Sequence, residues 1–278
     1  MAADFSFFQK VNRDFDKAAQ FTEYSLGLLE QIKICNSSCH FTFPIKQDEM
    51  PSIESRSPIC SSVFFLNHVV IREGKGTMAY SNFTLAEVRT TFQLETVEAI
   101  GLFSKIESVL PRSHFTEELQ KKVPLATAIN TEKARSELIV ADVLFELREH
   151  CKGSISLFSG IDFNVDAENG LTGVCDFLIS LSPRQLLVDA PVIVLVEAKK
   201  EDLTGGLGQC IAEMLAAQRF NGEKGNNIPC IYGAVTSGTD WLFLKLAEKS
   251  VYVDLTVYQI AQCEKILGIL TSMVNQKA

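Results

Sequence analysis

Three charged residues stand where a buried strand would not tolerate charge. Asp176 lies inside Gly-Val-Cys-Asp-Phe-Leu-Ile-Ser-Leu at 173–181, and Glu197 and Lys199 close Pro-Val-Ile-Val-Leu-Val-Glu-Ala-Lys at 191–199. Both runs are otherwise β-branched and apolar, the composition of strands packed on both faces. Alternation with period two puts Glu197 and Lys199 on one face with Ile193 and Leu195, and Val192, Val194, Val196 and Ala198 on the other. In the first run Asp176 shares a face with Val174 and Leu178, opposite Cys175, Phe177, Ile179 and Leu181. If 182–190 connects the two as an antiparallel hairpin, Asp176 comes beside Glu197. Two adjacent carboxylates repel, and a hard divalent cation with oxygen ligands is the usual relief. The lysine then offers positive charge to an anion or a water.

The elements around these strands must hold the three residues together. Residues 154–166 alternate through Ile155, Leu157, Ile161, Phe163 and Val165 and run into an Asn169-Gly170 turn, which predicts the strand before Asp176. After Lys199, Gly205 and Gly206 offer a turn and a close approach of helix to strand. They are no phosphate loop, since no lysine and hydroxyl follow in place. A helix over 207–220 and a strand over 229–236 then make a right-handed crossover from 191–199. Gln209 and Glu213, four apart on that helix, share a face toward the strand ends, with Glu213 read as solvated surface. Thr131 predicts the cap of a long helix, apolar on most sides from Leu138 to Leu147. Glu137 is the charge within it, between Ala134 and Ala141, and an ion pair with Lys133 or Arg135 is its plain explanation. A hairpin of 241–246 with 251–255 follows, then an amphipathic helix over 256–274 that covers the other sheet face or pairs in a homodimer.

Asp176 followed by Glu197-Ala198-Lys199, with strands around it and a helix after it, resembles the PD-(D/E)xK nuclease superfamily. The resemblance covers about residues 120–255, although Cys175 replaces the proline that opens the signature. It implies an α/β, restriction-endonuclease-like core, a mixed central sheet flanked by helices. It also implies Mg²⁺ (or Mn²⁺) held by Asp176, Glu197 and the Ala198 carbonyl, with Lys199 acting on water and phosphate. Glu137 and Gln209 would support the site from the two helices, and nucleic acid, DNA or RNA, would be the substrate.

The chain ahead of this core is different in kind. Phe-Phe-Gln-Lys-Val-Asn-Arg at 7–13 and Gly-Leu-Leu-Glu-Gln-Ile-Lys-Ile-Cys-Asn-Ser at 27–37 are similar to the start of a glutamate dehydrogenase. That likeness stops near Lys46, and no glycine-rich dinucleotide fingerprint follows, so no dehydrogenase activity is implied. The expected organisation is an appended segment at 1–48, an accessory region of strand and helix at 49–120, and the nuclease-like core at 121–278. A polar, proline-interrupted linker spans 46–60, a strand is expected at 61–73, and 97–106 carries apolar residues at helical spacing. Cys35, Cys39 and His40 lack the second ligand pair of a zinc finger.

A chain of 278 residues with 46% hydrophobic content can bury a substantial core. No run nears the roughly 20 apolar residues that span a bilayer, and the start has no basic-then-apolar signal, so a cytoplasmic protein with reduced cysteines and no membrane partner is expected. The net charge of −8 disfavours a broad phosphate-coating surface, though it leaves room for a local site. Two functions follow: a metal-dependent nuclease, or a catalytically silent binding or assembly module on the same fold.

Overall fold

The computed structural model describes residues 79–226 and 228–276. The appended segment at 1–48, with Cys35, Cys39 and His40, the linker at 46–60 and the strand expected at 61–73 all lie outside the described residues. The first described anchor is Tyr80, whose hydroxyl donates to the carbonyls of Phe163 at 2.5 Å and Leu171 at 3.2 Å. Helix α1 (Leu85–Phe92) starts from a reciprocal cap: the Thr84 hydroxyl accepts from the Glu87 N–H, and the Glu87 carboxylate accepts from the Thr84 N–H. Strand β1 (Glu95–Ala99) and helix α2 (Ser113–Ile129) come next. Helix α3 runs as Glu132–Arg135, a π-helical turn Ser136–Val140, and Ala141–His150, and the Thr131 hydroxyl caps its start as expected. Then follow β2 (Ser156–Asp162), β3 (Val174–Ser180), β4 (Val192–Ala198), α4 (Leu207–Glu223), β5 (Ile231–Thr236), β6 (Asp240–Ala247), β7 (Ser250–Asp254), β8 (Tyr258–Gln259) and α5 (Cys263–Val274).

The strands form one eight-stranded mixed sheet in the order β1-β7-β6-β5-β4-β3-β2, with β8 paired to β6. The β1·β7 and β4·β5 pairs are parallel and the others antiparallel. A parallel pair needs a long crossover, and α4 supplies it between β4 and β5. Every residue of β4 is buried, as its unbroken apolar run requires. Helices α1 and α4 cover one sheet face over Leu178, Leu195, Val235 and Leu244. Helices α2, α3 and α5 cover the other over Phe177, Ile179, Val196, Ala234, Trp241 and Phe243. Gly208 lets α4 cross α1 closely, since a Cβ there would lie 2.2 Å from the Phe83 carbonyl oxygen. At the sheet edge, the Gln185 side-chain amide pairs with the backbone of Leu157, accepting from its N–H at 3.3 Å and donating to its carbonyl at 2.6 Å.

Two expectations change on long-range pairing. Residues 95–99 are strand where helical spacing was read over 97–106, because they pair with β7 and buried Asp254 then gathers the N–H groups of Gly101 and Phe103 into a turn. Residues 256–262 do not extend the last helix, since Tyr258–Gln259 pairs with β6 first. Helix α5 buries Ile266, Leu267, Leu270 and Met273 against its own sheet, so that apolar surface is occupied within the chain. Among the described residues no helix is long and apolar enough to cross a membrane, and their five cysteines are free thiols.

Candidate active site

The site forms where the start of β3 meets the end of β4. Their pairing runs from Ser180↔Val192 to Phe177↔Val196, which sets Asp176 and Glu197 as the next residues on neighbouring strands. A bulge intervenes, because Ile179 pairs with Val194 while Ser180 pairs with Val192. It lets Val192 and Leu195 pack on the α4 face while Ile193 and Val194 both turn to the other face. Strict alternation, with Ile193 on the face of Glu197, is therefore wrong for the start of β4 and right for its end. The Asp176 carboxylate replaces a ladder bond by accepting the Ala198 N–H at 2.9 Å, while on the other side Ala198 pairs with Thr236 of β5.

Glu197 is 2% exposed and carries two contacts. Lys199 Nζ lies 2.6 Å from its Oε1, and Gln209 Nε2 donates to its Oε2 at 2.8 Å. Gln209 also accepts from Lys199 Nζ at 3.3 Å and donates to Glu213 Oε1 at 3.2 Å. The four side chains thus form one chain from strand to helix. Gly206 allows it: a Cβ there would lie 2.7 Å from Val235 Cγ1 and 3.1 Å from Lys199 Cγ, so the lysine stem rests on the bare first turn of α4.

The electrostatics are those of crowded acids in a dry place. Burial and then the Asp176 charge push the Glu197 carboxyl up, against the pull of Lys199. Burial raises Asp176 as well, opposed by the Ala198 N–H and Lys199. Burial alone would lower Lys199, but its bond to Glu197 and the charges of Glu197, Glu132 and Asp176 carry it upward on balance. Glu213, fully buried, is pushed well up by burial and by Glu197.

Asp176 and Ala198 open on a cleft of about 250 Å³ lined also by Glu132, Lys133, Ser136, Glu137, Ser159 and Gly160. The π-helical turn of α3 begins at this wall, a common setting for functional sites. Asp176 Oδ2 is engaged with Ala198 while Oδ1 has no partner among the described residues. The Asp176 carboxylate, with one oxygen uncommitted, and the Ala198 carbonyl are hard donors beside Glu197, whose oxygens are engaged by Lys199 and Gln209. They fit a Mg²⁺-like cation, which binds through one or two carboxylates and keeps several waters. Among the described residues no group of three or more His, Cys, Asp or Glu is placed to hold a metal, so a cation here would rest on two carboxylates and water.

No protein-family model matches the chain, and a search of curated proteins finds no match. Of the residues singled out from sequence, Asp176, Glu197, Ala198, Lys199 and Gln209 meet at this strand end. Glu137 lines the cleft wall but is 61% exposed and ion-paired with Lys133 at 2.7 Å, the plain explanation offered for it. Arg135 does not reach the cleft, and neither does Arg219 on α4. Arg135 donates to the Ser237 carbonyl and Arg219 pairs with Asp166 over the Phe92 ring. Glu213 was read as solvated surface and is instead fully buried, because Cys210, Ile211, Ala212, Met214, Leu215, Ala216 and Ala217 surround it with no polar face. That unbroken apolar flank is the signal that marks it. Glu132 was also missed as a site residue; its position as first residue after the Thr131 cap resembles any helix start.

Proposed function

We propose that this chain is a metal-dependent phosphodiesterase acting on DNA or RNA, with a restriction-endonuclease-like core of the PD-(D/E)xK kind. The reading is carried by one observation: Asp176, near the start of β3, and Glu197, near the end of β4, lie on adjacent antiparallel strands, with Lys199 Nζ 2.6 Å from Glu197. Asp176, Glu197 and the Ala198 carbonyl would hold Mg²⁺ or Mn²⁺, which when bound supplies charge stabilisation at the phosphate and an activated water. Lys199, held as an ammonium by its acidic neighbours, orients that water and offsets charge growing on the phosphate oxygens. Gln209 fixes Glu197, and the cleft beside α3 admits the phosphate past Lys133 and Ser136.

A second reading, a silent binding or assembly module, is favoured by a different observation. Both Glu197 oxygens already have partners, so the network is closed without a cation. The two readings part on Mg²⁺-dependent cleavage of mixed DNA and RNA by wild type, Glu197→Gln and Lys199→Met. Lys199→Met should lower the rate roughly 10²–10³-fold while leaving Mn²⁺ binding largely intact, and Glu197→Gln should weaken both. No cleavage by wild type, with both variants melting lower, would leave the charges as structure and favour the silent module.

A further inference from the structure

Among the described residues, Gln209 is the only side chain that hydrogen-bonds both the strand-end charges and the buried acid of α4, and its amide can sit two ways round. In the observed orientation Nε2 donates one hydrogen to Glu197 Oε2 at 2.8 Å and the other to Glu213 Oε1 at 3.2 Å, leaving Oε1 to accept from Lys199 at 3.3 Å. Turned over, the amide would set its oxygen against the Glu197 carboxylate and its NH₂ against the Lys199 ammonium. Glu213 does little else. Its Oε2 is buried with no hydrogen-bond partner among the described residues, and a half-satisfied carboxyl flanked by Ile211, Ala212, Met214 and Leu215 is a poor packing residue.

We propose that Glu213 is a positioning residue: by accepting the second amide hydrogen of Gln209 it locks that side chain in the orientation that gives Glu197 a donor and Lys199 an acceptor. The lock itself is a matter of geometry, and its effect on catalysis rests on the nuclease reading above. Burial holds the Glu213 carboxyl toward its neutral form, which a glutamine amide matches in shape and in offering an acceptor oxygen.

The test uses the ¹⁵N-labelled full chain, with the Gln209 side-chain NH₂ signals assigned by their loss in Gln209→Met. These should be shifted from free-glutamine positions and slow to exchange with water in wild type and in Glu213→Gln, and move toward free-glutamine positions with faster water exchange in Glu213→Met. Mg²⁺-dependent cleavage should fall roughly 10–100-fold in kcat for Glu213→Met, with KM little changed, and return in Glu213→Gln. Unaltered Gln209 signals in Glu213→Met overturn the lock whatever the cleavage, and so does their loss in Glu213→Gln, which still answers if Glu213→Met fails to fold. Methionine-sensitive signals in a chain that cleaves nothing support the lock and count against the nuclease reading instead.

Discussion

Glu213 and Glu197 are carboxyls that bind their protons more tightly folded than unfolded, since burial raises both, with the Asp176 charge adding to Glu197 and the Glu197 charge adding to Glu213. Unfolding releases them to an ordinary glutamate value of about 4.3. Below that value the folded and unfolded chains hold the same protons, and this contribution to stability is fully present. As pH rises past it the unfolded chain loses protons first, so stability falls until the raised folded values are reached. The melting temperature without metal should therefore drop from about pH 5 to about pH 8, and Glu213→Gln should flatten the decline. A flat wild-type profile would mean that neither acid is raised. At this scale the sequence exposed the strand charges well, because an ion in a β-branched run has few innocent explanations. It hid Glu213, because a glutamate four residues after a glutamine on a helix has the spacing of a solvated pair, and only the apolar residues on every side of it show otherwise.

Among the elements, the first turn of α4 and the end of β4 are matched to each other through a missing side chain. Gly206→Ala keeps an allowed backbone, with φ at −82°, yet drives a methyl into Val235 and the Lys199 stem. Overpacking of this kind costs about 1–3 kcal/mol, read as a lower denaturant midpoint. The Lys199 contribution to any cleavage should shrink in the same variant, so that adding Lys199→Met to Gly206→Ala costs less than it does in wild type. Full additivity would show that Lys199 does not depend on this contact. Strands were legible as elements wherever alternation or an unbroken apolar run was long enough, as in β2, β3 and β4. Their faces were not: Cys175 packs with Leu178 rather than with Phe177, and Leu157 packs on the face opposite Ile161 and Phe163. The bulge at Ile193, the strand at 95–99 and the short β8 were not legible either, since each is decided by a partner far along the chain: β3, β7 and β6 respectively. No local window contains that information.

For the molecule as a whole, the described sheet is packed on both faces by helices that follow Tyr80 in the chain, and Tyr80 itself is pinned under Phe163, Leu171 and Gly173. Deleting residues 1–48 should therefore leave a single cooperative thermal transition, with a midpoint near that of the full chain. Loss of the transition would show that the segment resembling a dehydrogenase start belongs to the folding unit. Tyr80→Ala in the shortened chain should lower the midpoint, because two backbone carbonyls lose their donor and the core loses a fully buried ring.

The Gln185 amide standing against Leu157 also bears on how the protein behaves in company. A side chain that reads like one residue of a neighbouring strand occupies the backbone of β2 at a point where another copy would begin to pair. The strand it guards, Ser156–Asp162, is the last of the sheet order, so its outer backbone groups are open to pairing with another strand. Gln185→Ala should leave the fold standing but make the protein self-associate as it is concentrated, visible as a rising sedimentation coefficient, whereas wild type should stay constant over the same range. Solubility would then rest on one uncharged side chain set against the same edge strand whose Ser159 and Gly160 line the candidate cleft.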